Sequence, residues 1–259
     1  MNLLNHCSEI THSPCYKHSP RAAALYTWAK MVYARNRANT PLEILSSLGL
    51  DPDVCRSGLD HWLPLLEDTF RRVRAKEGQQ GGISLEDGII LYGITRAIKP
   101  DIMIETGVAA GVSNSFISAA LIENGHGLLY SIELPPSESD GRLLQDGGSF
   151  AWPLTGTGWA VPETIRNAIG ERNILILEDT RTALPKVLST LPKVDIFFHD
   201  DLHTPEHMYW EYNLVWPKIP KGGMLISDDS NYAWLRFCRE QGISAGASLN
   251  IQRLTALRK

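Results

Sequence analysis

After Pro100 the chain repeats one pattern that few folds accommodate: a short apolar run, an acid at its end, then a stretch with helical spacing. The runs are "DIMIET", "GLLYSIEL", "NILILED", "VDIFFHD" and "GMLISDD". Runs so short and so continuously apolar fit strands buried on both faces. Their alternation with helical segments calls for βαβ units around a mostly parallel sheet with helices on both sides.

The chain before this pattern reads differently. From about Arg21 to Lys76 apolar residues recur at helical spacing, as in "RAAALYTWAKMVYARN" and "LDHWLPLLEDTFRRVRA". In "TPLEI", Thr40 is placed as an N-cap with Pro41 at the first helical position. "EGQQGG" then breaks the pattern, and "SLEDGIILYGITRAIKP" predicts a helix capped by Ser84 with Asp87 near its third position. The predicted organisation is an arm and helical cap over residues 1–82 and a main domain over 83–259. Within that domain residues 135–165, rich in Gly, Pro and Trp, read as a lid.

Composition narrows the function classes. With 259 residues, 43% of them hydrophobic, the chain can bury one large core. A formal net charge of −4 excludes a general polyanion binder, because nucleic-acid affinity rests on clustered Lys and Arg. No stretch supplies the roughly 20 apolar residues of a membrane span, so the expectation is a cytoplasmic protein with neither nucleic acid nor membrane as partner. The four cysteines form no CxxC pair and read as free thiols. Cys7 and Cys15 lie among His6, His12 and His18 at no zinc spacing, so that segment reads as a flexible arm.

The joint after the first strand, "IETGVAAGVSNSF", poses the functional question. Glu105 ends the strand, Gly107 and Gly111 permit close backbone approach, and Ser113 or Asn114 opens the next helix with free amides. Such a turn alone is as compatible with packing as with a ligand. Two further acids tilt the reading. Glu133 ends the second strand, where a carboxylate can accept both hydroxyls of a ribose, and Asp179 ends the third, near the expected base. Three acids at successive strand ends match one elongated nucleoside. A dinucleotide fingerprint needs a third glycine that "GVAAGVS" lacks. The Tyr and Lys of a short-chain dehydrogenase occur together only at Tyr26 and Lys30, ahead of the whole sheet.

Through "IETGVAAGVS", "YSIEL", "LEDT" and above all "FFHDDLHTPEHMYWEYNLVWPKIPKGGMLISDD", the chain resembles a class I S-adenosylmethionine-dependent methyltransferase. "GWAVPETIR" and "HDDLHT" narrow the likeness to the family of small-molecule O-methyltransferases and cephalosporin-hydroxylase-like proteins. The resemblance spans about Ser84 to Asp229. It implies a Rossmann-like, seven-stranded sheet, with S-adenosylmethionine contacted by Glu105, Gly107, Ala109, Ser113, Glu133 and Asp179, and with Asp200 near its methionine end.

At the reacting end "HDDLH" and "SDDSN" would bring His199, Asp200, Asp201, His203, Asp228 and Asp229 to one edge. Methyl transfer needs an aligned acceptor and, for a hydroxyl, a group that removes its proton. Two chemistries remain open. By likeness to related O-methyltransferases, Asp200, Asp228 and Asp229 would hold Mg²⁺ and acidify the acceptor. Otherwise His203 is the general base, with Asp200 beside it. Asp201 and one of Asp228 or Asp229 read as loop caps, and His207, on a helix with packing residues, reads as structural. Trp152 and Trp159 are candidates for an apolar wall over the acceptor, while Trp28 reads as core.

The sequence thus predicts O-methylation of a small-molecule hydroxyl, on a natural product or sugar. An exposed apolar face on the cap would favour a homodimer. Alternatives are a cephalosporin-hydroxylase-like oxygenase on the same fold, an NAD-dependent oxidoreductase, and a cofactor-binding protein without turnover.

Overall fold

A computed structural model describes residues 40–77, 82–134, 156–228, 232–243, 249–251 and 254–259. The arm with Cys7 and Cys15, Trp28, the lid up to residue 155 and Asp229 lie outside them. Among the described residues four helices come first: α1 (Pro41–Ser47), α2 (Pro52–Arg56), α3 (Leu59–Glu77) and α4 (Leu85–Ile98). The caps read from the sequence are present. Thr40 caps α1 in a capping box with Glu43, and Ser84 caps α4 in another with Asp87.

The alternating part follows as β1 (Ile102–Thr106), α5 (Val112–Asn124), β2 (Leu128–Glu133), α6 (Glu163–Ile169), β3 (Asn173–Leu177), α7 (Thr180–Thr190), β4 (Ile196–His199), α8 (Pro205–Val215), β5 (Met224–Ser227), α9 (Tyr232–Glu240), β6 (Leu249–Ile251) and β7 (Leu254–Arg258). The sheet order is β3-β2-β1-β4-β5-β7-β6. β1 to β5 are mutually parallel, whereas β7 runs antiparallel to β5 and pairs with β6, so the sheet is mixed and mostly parallel.

Strand alternation divides the interior into two cores. Met103, Leu129, Phe198 and Ile226 face one side, where they pack with the cap helices, α4 and α5. Ile104, Ile132, Phe197 and Leu225 face the other, against α7, α8 and α9. Ile44, Leu45, Trp62 and Leu66 of the cap belong to the same buried cluster as Phe116 and Ile117 of α5, so the cap adds to the main core and has none of its own. Cys55 and Cys238 are buried free thiols, and burial pushes both up to about 11. No described helix is long and apolar enough to cross a membrane.

Candidate active site at the carboxyl edge of the sheet

Strand order reverses between β1 and β4, and in open parallel sheets the crevice at that point receives ligands. Register makes the crevice here. Thr106 pairs with His199 and His199 with Ser227, so Gly107, Asp200 and Asp228 leave the sheet side by side. Asp200 N–H donates to the Thr106 carbonyl and Asp228 N–H to that of His199, both at 2.8 Å, which extends the ladder one residue past each strand.

The glycine turn is held by protein on every side. Gly107 has φ 82°, and a Cβ there would stand 2.0 Å from the Asp200 carbonyl oxygen. Gly111 has φ 93°, and its Cβ would meet Val161 at 2.5 Å. The "GWAV" segment zips onto the turn: Gly158 N–H donates to the Ala109 carbonyl at 2.8 Å, and Ala160 N–H to that of Ala110 at 2.9 Å. Arg72 of α3 donates to the Ala160 carbonyl at 2.9 Å, and Lys76 lies 4.3 Å over the Trp159 ring. The cap therefore reaches the turn through residues 158–161. This end of the expected lid is fixed to the body, and Trp159 is engaged by a lysine.

Glu105 lies behind the turn. It is fully buried and accepts from the Ser113 hydroxyl, from Asn114 Nδ2 at 2.9 Å and from Ser131 Oγ at 3.3 Å. Ser113 is thus turned to Glu105, and the N-cap of α5 is Gly111, two residues ahead of the serine. Glu133, at the end of β2, accepts from the amides of Val108 and Ala109, both at 2.6 Å, and of Leu134 at 2.8 Å. Ala109 sits at φ 45°, a conformation that aims its amide at this carboxylate. Asp179 caps α7 by accepting from Arg181 N–H at 2.8 Å. Sequence reasoning passed over Thr157, whose hydroxyl is buried next to the Gly158–Ala109 bond and finds no hydrogen-bond partner among the described residues.

Burial pushes both Glu105 and Glu133 up to about 7, against the opposing pull of their hydrogen bonds. Their folded values lie above the ordinary 4.5, so the folded state holds protons that the unfolded chain releases. The stability from this source is complete below pH 4.5 and is lost as pH rises through about 7. Urea unfolding between pH 4.5 and 7 should show stability falling with pH, and Glu105→Gln should make that fall shallower. An unchanged slope would disprove the assignment.

Beyond β4 the acids and histidines sort into two groups. In the outer one the ligand atoms of Asp200, His203 and Asp228 lie within 4.8 Å of one another, with His203 Nε2 3.7 Å from Asp200 Oδ1. The inner one joins His199, Asp201, Glu211 and His207. His199 Nδ1 contacts the Glu211 carboxylate and lies 3.2 Å from Asp201 Oδ1. His207 Nε2 lies 3.0 Å from Asp201 Oδ2 and 3.6 Å from Glu211 Oε1. Burial opposes a charge on either imidazole, yet the carboxylates prevail and push His199 up to about 9 and His207 to about 10. Burial likewise opposes the Asp201 charge, but His207 and His199 hold its carboxyl well below the usual range.

Asp201, read as a loop cap, lies instead between two imidazoles, while His207, read as structural, is buried and held by Asp201 and Glu211. The available signal was "HMYWE": His207 and Glu211 stand four apart, one helical turn, and face the end of β4 together.

Residues 104–230 match the family described as methyltransferase domain. No curated protein matches the sequence. The fold is similar to that of the O-methyltransferase from Bacillus cereus in complex with SAH, at 13% identity over 76% of this chain and 91% of that one, TM-score 0.52. It is also similar to the O-methyltransferase NovP, at 16% identity over 78% and 97% of the two chains, TM-score 0.54. A third likeness is to the SAH-bound Podospora anserina methyltransferase PaMTH1, at 12% identity over 75% and 88%, TM-score 0.52. Residues 104–230 thus match a methyltransferase-domain family, and the sheet order belongs to the fold shared with these O-methyltransferases.

Proposed function

We propose that the protein transfers a methyl group from S-adenosylmethionine to a hydroxyl of a small molecule, a natural product or a sugar being the acceptor class. The observation that carries this reading is the register of β1, β4 and β5, which sets the glycine turn, Asp200 and Asp228 at one crevice with His203 beside them. The donor set suits the cofactor. Glu133 and Asp179 offer carboxylates at neighbouring strand ends, and Thr157 offers a buried hydroxyl that a polar ligand would satisfy. The overall negative charge supports a small acceptor over a nucleic acid.

S-adenosylmethionine, when bound, supplies a methyl carbon activated for in-line displacement. The protein's own share is alignment and proton removal. His203, about a quarter exposed, takes the acceptor hydroxyl's proton, and Asp200 Oδ1, 3.7 Å from Nε2, stabilises the imidazolium that results. The carboxylates of Asp200 and Asp228 also suit a divalent cation such as Mg²⁺, with Asp229 adjoining them in sequence. In that form the two aspartates would hold the ion, whose charge would lower the acceptor's pKa.

Calorimetry with S-adenosylmethionine and S-adenosylhomocysteine, with and without Mg²⁺ and with NAD as control, tests the reading. Micromolar binding of the first two is expected, together with a loss of at least tenfold in Glu133→Ala. That loss has two sources: the ribose contact disappears, and the amides of Val108 and Ala109 lose the acceptor that shapes the turn. Binding of NAD in their place would overturn the proposal.

A further inference from the structure

The inner group has the make-up of a metal site in its own right. His199 Nδ1 can donate one proton, yet it faces two carboxylates, Glu211 at contact and Asp201 Oδ1 at 3.2 Å. One N–H cannot serve both. Asp201 Oδ1 accepts no hydrogen bond among the described residues, and neither does Glu211 Oε1, although Glu211 is 0% exposed. Buried carboxylate oxygens without a donor are costly, and a cation is the usual remedy. The spacing suits one. Donor atoms bound at about 2.1 Å to a common ion stand roughly 3.0–3.4 Å apart, a range that contains the His199–Asp201 separation, whereas His199 and Glu211 Oε2 stand closer than that, so Glu211 would serve the ion through Oε1. The ligand atoms of His199, Asp201 and Glu211 all lie within 4.8 Å of one another.

We propose that His199, Asp201 and Glu211 form a buried site for a divalent first-row transition ion of the Zn²⁺ type, separate from the outer pair Asp200 and Asp228. One imidazole with two carboxylates is a donor set that such ions accept, the Nδ1 proton that His199 holds against these carboxylates leaving to solvent as the ion binds. His207 orients the site, because its Nε2, 3.0 Å from Asp201 Oδ2, holds the aspartate from behind. The ion would tie the end of β4 and the loop after it to α8, and so steady the loop that carries Asp200 and His203. The site is independent of the methyl-transfer reading, and its test needs no turnover.

The full chain is stripped with a chelator, and the outer pair is removed as Asp200→Asn/Asp228→Asn. Zn²⁺ or Co²⁺ is then added, followed by desalting, elemental analysis and thermal melts. The outer-pair variant should keep one equivalent more than the same protein carrying Asp201→Asn, and should gain several degrees in Tm with Zn²⁺ where the latter gains none. Equal metal content and equal melting in the two would overturn the proposal, as would an outer-pair variant that holds no metal. Should Asp201→Asn fail to fold, Co²⁺ added to the outer-pair variant gives a second reading by NMR. Loss or a large paramagnetic shift of the His199 and His207 ring signals supports the site, and unshifted rings overturn it.

Discussion

Gly107→Ala should leave little folded protein. The new methyl carbon would stand 2.0 Å from the carbonyl oxygen of Asp200 and 2.8 Å from the amide nitrogen of Asp201, both backbone atoms of the peptide that follows the Asp200–Thr106 bond. No rotamer relieves a clash between main chains. The residue also has φ 82°, which an L side chain adopts only with strain. Separating β1 from the end of β4 breaks the Asp200–Thr106 bond and opens both cores. We expect a cost of about 4 kcal/mol or more, a large share of the total stability of a typical domain. Urea unfolding of the wild type and the variant measures it. A difference below about 1 kcal/mol would show that the strand ends can part freely. The second glycine contrasts usefully, since a Cβ at Gly111 meets chiefly a valine methyl, a side chain that can yield, with the Cα of Gly158 at 3.0 Å.

His203→Ala should lower kcat by about 10²- to 10⁴-fold, the usual worth of a positioned acid or base, while cofactor affinity stays within about threefold. The histidine stands beside Asp200, 3.7 Å from its carboxylate, while the turn takes its shape from Glu133 and the bonds from Gly158 and Ala160. Asp200→Asn should show a similar fall in kcat with a changed pH profile, because the partner that stabilises the imidazolium loses its charge. Steady-state kinetics across pH, with the cofactor Kd measured separately, distinguishes these roles. A His203→Ala enzyme that retains full kcat would remove the histidine as base and leave the outer carboxylates, with their ion, as the source of acceptor activation.

The arrangement of elements was legible because it is written in local chemistry. Thr40 and Ser84 announce their helices through side-chain oxygens that cap free amides, and each announcement depends on residues no more than three apart. The apolar strands with acids at their ends are equally local, and their alternation with helices leads to the parallel order of β1 to β5. The site was legible in its parts. Asp200, His203 and Asp228 were named from two strand ends, and the structure brings them within 4.8 Å.

What the sequence could not convey is which partner each polar group takes. Glu105, Ser113 and Asn114 sit together in the turn motif as if all faced a ligand, but the serine and the asparagine are turned to Glu105 behind the turn. The need for Gly107 comes from Asp200, which is far along the chain and becomes a neighbour only when β1 and β4 pair. His207 and Asp201 read as ordinary polar residues until the fold joins them to the buried His199 and Glu211. By itself, then, the sequence determined the class of fold, the helix caps and the edge at which the acids and histidines gather, since those follow from periodicity and from contacts within a few residues. Tertiary structure alone decided which carboxylate meets which imidazole and which glycine is indispensable, because those outcomes depend on pairing register and burial between residues distant in the chain.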